Sequence, residues 1–505
     1  MNAVRLALDN LDRYGEYTKV YFDGASYSNA HLVGFARSLA TVLSDHGVQS
    51  GEHVAVMMPN TPEVEGAFQA AWMLGAVITP ITPQLGVPEV SYMLADAGIT
   101  AVLTSPKLAE RVAQAAAHAP SVRHIFVFGD SDVPGATDVL RLVSLAPQHQ
   151  EVVTKKDSDL GLLLYTSGTT GHPKGVMLSH GNLISGTESI VRKNPNIARQ
   201  VLLHPLPLSH VYGVLIMNLC NRWGWTSVLM PHFETKKAFE LIEKYKANRI
   251  TVTPTMLVYM INFPERTKYD TSSLTIVSSG GAALLESVRT EFEEIFHCKV
   301  MQGYGLSESA AVATGYDQSD TYRPGSVGQA LPGIEVAILD ARGSMLPPGE
   351  AGEIAVRGAN VMLGYWNKHD ATACALAGGW LLTGDIGHKD ADGYIYITDR
   401  KKDLIIKGGE NISPKEIEEA LHSHFAVAEA AVFSYPDPTF GENIGAAVVL
   451  RAGMSATDEE LRAHCAQFVT KFKLPATFVY MDGLPKSPNG KILKRELKVP
   501  AKVAG

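Results

Sequence analysis

Between roughly residues 50 and 360, short apolar runs rich in Val and Ile alternate with stretches of helical periodicity, the pattern of strand–helix units that build mostly parallel sheets. Residues 54–58, 101–104, 125–128, 160–165 and 228–230 are predicted strands. Thr61-Pro62 predicts a helix running through Trp72, with a capping hydroxyl and proline at its first position. The pattern changes near residue 400, where the charged run Asp399-Arg400-Lys401-Lys402-Asp403 separates two apolar stretches at 394–397 and 404–406. Ser413-Pro414-Lys415-Glu416 then predicts a capped helix with Ile417, Ala420 and Leu421 on one face. Strand-like segments at 430–433 and 446–450 precede a second capping box at Thr457 and Glu460. The fold class expected is α/β: a large N-terminal domain over 1–399 and a smaller α/β domain over 400–505, of about 105 residues and within ordinary domain size.

Composition narrows the class. A chain of 505 residues is too long for one hydrophobic core. With 46% hydrophobic and 19% charged residues it reads as a soluble globular enzyme, and its net charge of −8 gives no bulk attraction for nucleic acid or anionic lipid. Cys220, Cys298, Cys374 and Cys465 are far apart and form no CxxC pair, which argues against a disulfide framework or a zinc site. The N-terminal residues lack the apolar core of a signal peptide, and no run is long and apolar enough to span a membrane. A cytoplasmic location is expected.

The densest chemistry lies in Tyr165-Thr166-Ser167-Gly168-Thr169-Thr170-Gly171-His172-Pro173-Lys174-Gly175. Glycines let backbone N–H groups approach a phosphate, hydroxyls donate to its oxygens, and a lysine offsets its charge. Pro173 stands where a Walker A loop requires glycine before lysine, so this is a different phosphate loop.

The segment resembles the phosphate-binding loop of the adenylate-forming superfamily, which contains acyl- and aryl-CoA synthetases. Further segments resembling that family follow in order: Pro205-Leu206-Pro207-Leu208-Ser209-His210-Val211-Tyr212-Gly213, Gln302-Gly303-Tyr304-Gly305-Leu306-Ser307-Glu308, Thr383-Gly384-Asp385, the charged run at 399–403, Lys407-Gly408-Gly409-Glu410-Asn411 and Ser487-Pro488-Asn489-Gly490-Lys491. The resemblance implies that a carboxylic acid and ATP form an acyl-adenylate and pyrophosphate, and that coenzyme A then takes the acyl group.

On that resemblance Thr166, Ser167, Gly168, Thr169, Thr170 and Lys174 cradle the β- and γ-phosphates, and Glu308 binds Mg²⁺. Tyr304 stacks on adenine beside Gly280, Gly281, Ala282 and Ala283, with Gln302, Gly303 and Ser307 in the same ATP-binding block. Asp385 accepts the ribose hydroxyls, and Arg400 makes a second ribose or phosphate contact. Lys491 bridges the substrate carboxylate and the α-phosphate, which makes it the expected catalytic cation. Lys402 is the hinge on which the C-terminal domain turns between half-reactions, bringing Gly408 and Gly409 to line a pantetheine tunnel.

For the acid, the resemblance puts His210 at the acyl entrance, with Tyr212, Thr253, Ser278, Gly280, Gly305 and Ala311 as pocket walls. No cation stands out among these residues, so an uncharged medium- or long-chain fatty acyl tail is expected. Aryl and alicyclic acids, or a carrier-protein thiol as acceptor, are the alternatives. The partners expected are the acid, ATP and coenzyme A, with no nucleic acid and no integral membrane segment; a homodimer stays open.

Overall fold

The structure is a computed structural model and describes residues 1–149, 151–166, 173–195, 197, 199–317, 319–486 and 492–499. Two mainly parallel sheets and one antiparallel sheet make up the larger part. One sheet has the strand order Lys299–Gln302, Ile276–Ser279, Arg249–Val252, Val201–His204, Thr226–Leu229, Thr18–Phe22 and Ala25–Ser28. In the second, Leu160–Thr166 and Lys174–Ser179 form an antiparallel hairpin beside the parallel strands Val77–Pro80, His53–Met57, Ile99–Thr104 and His124–Val127. The predicted strands fall in these two sheets, each displaced by no more than two residues. The third sheet, from Thr314–Gly315 to Trp380–Lys389 and Tyr394–Arg400, is antiparallel throughout.

A single apolar core runs through all three sheets, joining Val54 and Leu162 to Ile250 and Val277 and to Ile354 and Leu381. The helix Pro62–Met73 buries every residue except Glu63, as expected of a helix apolar on nearly all sides. It starts at Pro62 as predicted, but the Thr61 hydroxyl makes no capping bond and is buried without a partner among the described residues. Proline's fixed φ starts the helix without that bond.

The C-terminal part has its own core, built from Ile405, Ile417, Leu421, Val432, Ala446 and Leu461 among others. Its sheet contains the long hairpin Val427–Asp437 and Gly441–Leu450. The Thr457–Glu460 capping box forms in both directions. Ser413 instead turns its hydroxyl away from the helix Pro414–His422 and donates to Thr398 O and Asp399 Oδ2. The junction between the two parts has taken over the residue expected to cap the helix.

Candidate active site

The parallel strands Arg249–Val252, Ile276–Ser279 and Lys299–Gln302 end side by side. Their carboxyl ends lead into Thr253, Gly280 to Ala283 and Gly303 to Gly305, the place where open α/β sheets take their ligands. A cleft of about 1490 Å³ opens there, larger than the roughly 300–1,000 Å³ of a site for one small molecule. Residues 280 to 283 and 302 to 305 form one wall, the Lys174 and Glu308 region another, and the C-terminal part the third.

At one end Asp385 and Arg400 face each other across the antiparallel ladder. Arg400 Nε lies 3.1 Å from Asp385 Oδ1, and the Tyr304 hydroxyl donates to Asp385 Oδ2 at 2.6 Å. Asp385 is only 3% exposed, so this carboxylate is held by two partners and presents its remaining acceptor capacity to the cleft. Burial and the Asp385 charge hold the Tyr304 phenol well above its ordinary range, so it stays a donor. Gly305 has no alternative residue: a Cβ there would lie 2.2 Å from the Ala311 carbonyl oxygen. That approach is set by the turn at Ala310 and Ala311, both in the left-handed region at φ 51° and 70°.

Toward the hairpin, Thr166 and Lys174 are cross-strand partners at the open end of the ladder. Ser167, Gly168, Thr169 and Thr170, between them, lie outside the described residues. Lys174 Nζ sits 5.1 Å from the centroid of the Tyr365 ring, and the Tyr365 hydroxyl donates to Glu308 Oε1 at 2.8 Å. Burial and Glu308 raise the Tyr365 pKa, so it too remains protonated. Tyr365 thus links the lysine to the carboxylate expected to bind metal. Nothing in its own sequence neighbourhood marks this role; it follows from the pairing of Gly364–Tyr365 with Lys174–Ser179. Ser307 and Glu308 share one short 3₁₀ turn, and both line the cleft.

The third region runs down from Gly280. Tyr212 packs on it so closely that a Cβ there would meet the ring at 3.1 Å. His210 lines the cleft, and its Nδ1 accepts the Tyr212 N–H at 3.2 Å as the N-cap of the helix Val211–Trp223. Accepting at Nδ1 puts the proton of the neutral ring on Nε2. Ser278, Gly280, Gly305 and Ala311 line the cleft. Thr253 does not: it is buried behind Gly281, against a small void of its own, because its strand turns into the helix Pro254–Ile261 at that residue. The expectation of walls without a cation also fails, since Arg249 lines this region and is buried. A cation opening a strand reads from sequence as solvated; here the Trp225 ring lies over it.

The C-terminal part closes the cleft with Ile492 to Arg495, while Lys491 itself lies outside the described residues. Lys494 pairs with Glu418 at 2.7 Å; burial would lower its pKa, but Glu418, Asp399 and Asp403 together outweigh burial and the net shift is upward. Lys486 is held by Glu429 at 2.6 Å and by the Tyr259 hydroxyl at 2.8 Å. Lys402 lines the cleft, and burial lowers its pKa. Gly408 and Gly409 lie in an exposed turn, both at positive φ, and line no part of the cleft in this arrangement.

Known proteins share this layout. Residues 8–366 match the AMP-binding enzyme model, and residues 416–491 match the AMP-binding enzyme C-terminal domain. A long-chain-fatty-acid–CoA ligase of Bacillus subtilis is 33% identical over 97% of this chain and 92% of its own length. 4-coumarate–CoA ligase 5 of rice, Oryza sativa subsp. japonica, is 35% identical over 94% of this chain and 89% of its own. The anthranilate CoA ligase AuaEII, solved with anthranoyl-AMP, superimposes with a TM-score of 0.93 at 25% identity, over 97% of this chain and 95% of that one. The chain belongs to the AMP-binding enzyme family and is an acid–thiol ligase of the adenylate-forming, acyl- and aryl-CoA ligase kind.

Proposed function

We propose that this ligase joins a carboxylic acid with an extended, largely apolar tail to coenzyme A, of the medium- or long-chain fatty acyl type. The observation that carries the reading is the shaft below Gly280 and Tyr212, walled by Leu215, Ile216, Leu219, Leu202 and Ile190 and continuous with the nucleotide end. The B. subtilis relative, whose name gives long-chain fatty acids as substrate, supports it.

In the first half-reaction a carboxylate oxygen attacks the α-phosphorus of ATP and pyrophosphate leaves. Two anions must meet, so neutralising charge is the main task of the protein. Asp385 takes the ribose hydroxyls, Arg400 steadies it, and Tyr304 lies against the adenine. Thr166 and Lys174 hold the phosphate tail, with Ser167, Gly168, Thr169 and Thr170 assigned to the same task. Glu308 fits Mg²⁺: it is a half-buried carboxylate oriented by Tyr365, and among the described residues no cluster of three or more His, Cys, Asp or Glu could cage an ion alone. One carboxylate plus phosphate oxygens and water is the usual surrounding of this cation, which would neutralise phosphate charge there. In the second half-reaction the thiol sulfur attacks the acyl carbon and AMP leaves.

The C-terminal part, from residue 400, is proposed to turn between the two steps. Polar contacts fasten it, among them Arg451 to Glu291 at 3.2 Å, Glu419 accepting the Glu286 N–H at 3.0 Å, Lys486 to Tyr259, and Ser413 and Lys415 to the strand end at 397–399. Contacts of this kind permit relative motion. Lys402→Pro is expected to slow coenzyme A-dependent turnover at least about tenfold more than the first-turnover pyrophosphate burst, because proline fixes the φ that a hinge must change. Equal slowing of both steps would remove Lys402 from the hinge. The reaction is assigned to the cytoplasm on its free cysteines, Cys374 exposed; no described helix is long and apolar enough to cross a membrane.

The direct test measures pyrophosphate release and acyl-CoA formation across short, long, aryl and alicyclic acids, with and without coenzyme A. Extended acids should give the highest kcat/KM and should require coenzyme A for multiple turnover. A preference for compact aryl acids would replace this reading with the aryl one.

A further inference from the structure

The shaft ends in a charge. Arg249 lines the cavity and is 7% exposed, yet among the described residues no carboxylate pairs with it. Its contacts are the Trp225 ring, 5.1 Å from guanidinium carbon to centroid, and the Gln200 Oε1, which accepts from Nε at a long 3.4 Å. Burial alone pulls its pKa down to about 10, so it remains a cation at neutral pH. Trp223 and Trp225 stack at 4.5 Å, and both indole N–H groups are buried without an acceptor among the described residues. Both also line the cavity. A buried guanidinium and two stacked indoles therefore lie together on the wall of this cavity. Buried donors are nearly always satisfied, and a buried charge without a partner is costly.

Two features of the fold measure how far this floor lies from the reaction centre. Leu215, Leu219 and Trp223 recur at helical spacing on the cavity side of the helix that begins beside Tyr212, so Trp223 lies about 16 Å from that residue along the axis. Arg249 stands four residues before Thr253 on an extended strand, about 13 Å below the level of Gly281. The walls between are mainly apolar, with Thr251 and Ser278 as their polar members.

We infer that the acid carries a second carboxylate at the far end of its tail, and that Arg249, beside the stacked rings of Trp223 and Trp225, receives it. The substrates are then extended α,ω-dicarboxylic acids, a class that rests on the acyl-CoA ligase reading above and sharpens it. The apolar walls bury the methylene chain, and the distal carboxylate neutralises a guanidinium that the fold leaves without a counter-ion.

The test compares suberate, azelate and sebacate with octanoate, nonanoate and decanoate, and with the monomethyl ester of each diacid, which keeps the length but lacks the distal charge. Wild-type protein should show kcat/KM for the best diacid at least about tenfold above both controls of that length, and Arg249→Met should erase the difference while still using the monoacids. The diacids alone should also raise the thermal midpoint of the wild type more than the matched monoacids do, a readout that needs neither turnover nor a variant. Equal or better use of the monoacids by the wild type, or equal thermal shifts, would overturn the inference and leave the ligase reading intact. If thermal shifts favour the diacids but no acid supports pyrophosphate release, the floor stands and the ligase reading falls.

Discussion

Asp385→Asn is expected to lower kcat/KM for ATP about 10²-fold, with the KM for the acid changed little. The substitution keeps the side chain's size and removes its charge. Two hydrogen bonds from ribose hydroxyls to a buried carboxylate, at about 1.5 kcal/mol each, account for that factor. The loss is not confined to the ligand. Tyr304 donates to Asp385 Oδ2 at 2.6 Å, and an amide could turn its NH₂ toward that hydroxyl and misplace the ring expected to lie against adenine. Arg400 would lose its cross-strand partner at 3.1 Å; because its own side chain is 36% exposed, water absorbs most of that loss. The variant should therefore fold nearly as well as the wild type while binding ATP poorly. Measuring the ATP dependence of pyrophosphate release beside a thermal melt separates the two effects. A kcat/KM for ATP within threefold of wild type would show that Asp385 does not hold the ribose.

How much of this site could be read in the sequence depended on whether a residue's role is local. Asp385, Glu308, Tyr304 and Thr166 sit in short segments whose chemistry is legible, and the fold brings all four to one cleft. Five strands of the two mainly parallel sheets were legible as nearly continuous apolar runs, His53–Met57 among them with every residue buried, whereas Val77–Pro80, Val201–His204, Arg249–Val252, Ile276–Ser279 and Lys299–Gln302 were not. The antiparallel third sheet was missed as such: its strands alternate weakly and its pairing depends on turns far apart in sequence. Roles set by long-range pairing were not legible either. Tyr365 reaches Glu308 only through a two-residue strand laid against Lys174–Ser179, and Ser413 gives up its cap for Asp399 across the junction. Arg249 is the sharpest instance. Its neighbours Asn248 and Ile250 give no hint that Trp225, just before a strand not adjacent to its own, would cover it.

Lys491→Ala should reduce adenylate formation by about 10²–10³-fold, the loss typical of removing one group aimed at charge developing in a transition state. Acyl transfer from a supplied acyl-adenylate to coenzyme A should stay within a few fold of wild type, because the proposed rotation carries this lysine away before the thiol attacks. The neighbouring lysines cannot substitute for it. Lys494 is committed to Glu418 and Lys486 to Glu429 and Tyr259, and releasing either would leave a carboxylate that is 15% or 13% exposed without its counter-ion. Lys174 is placed over Tyr365, on the phosphate side of the cleft. Neither Lys494 nor Lys486 is then free to meet the acid carboxylate and the α-phosphate together. Single-turnover pyrophosphate release, run beside transfer from synthetic acyl-adenylate, reads the two steps separately. If both fall equally, the lysine serves the fold or the whole cycle rather than adenylation. If adenylation survives, the two anions are brought together by charge already fixed in the N-terminal walls, with Lys174 and Arg400 the first to examine.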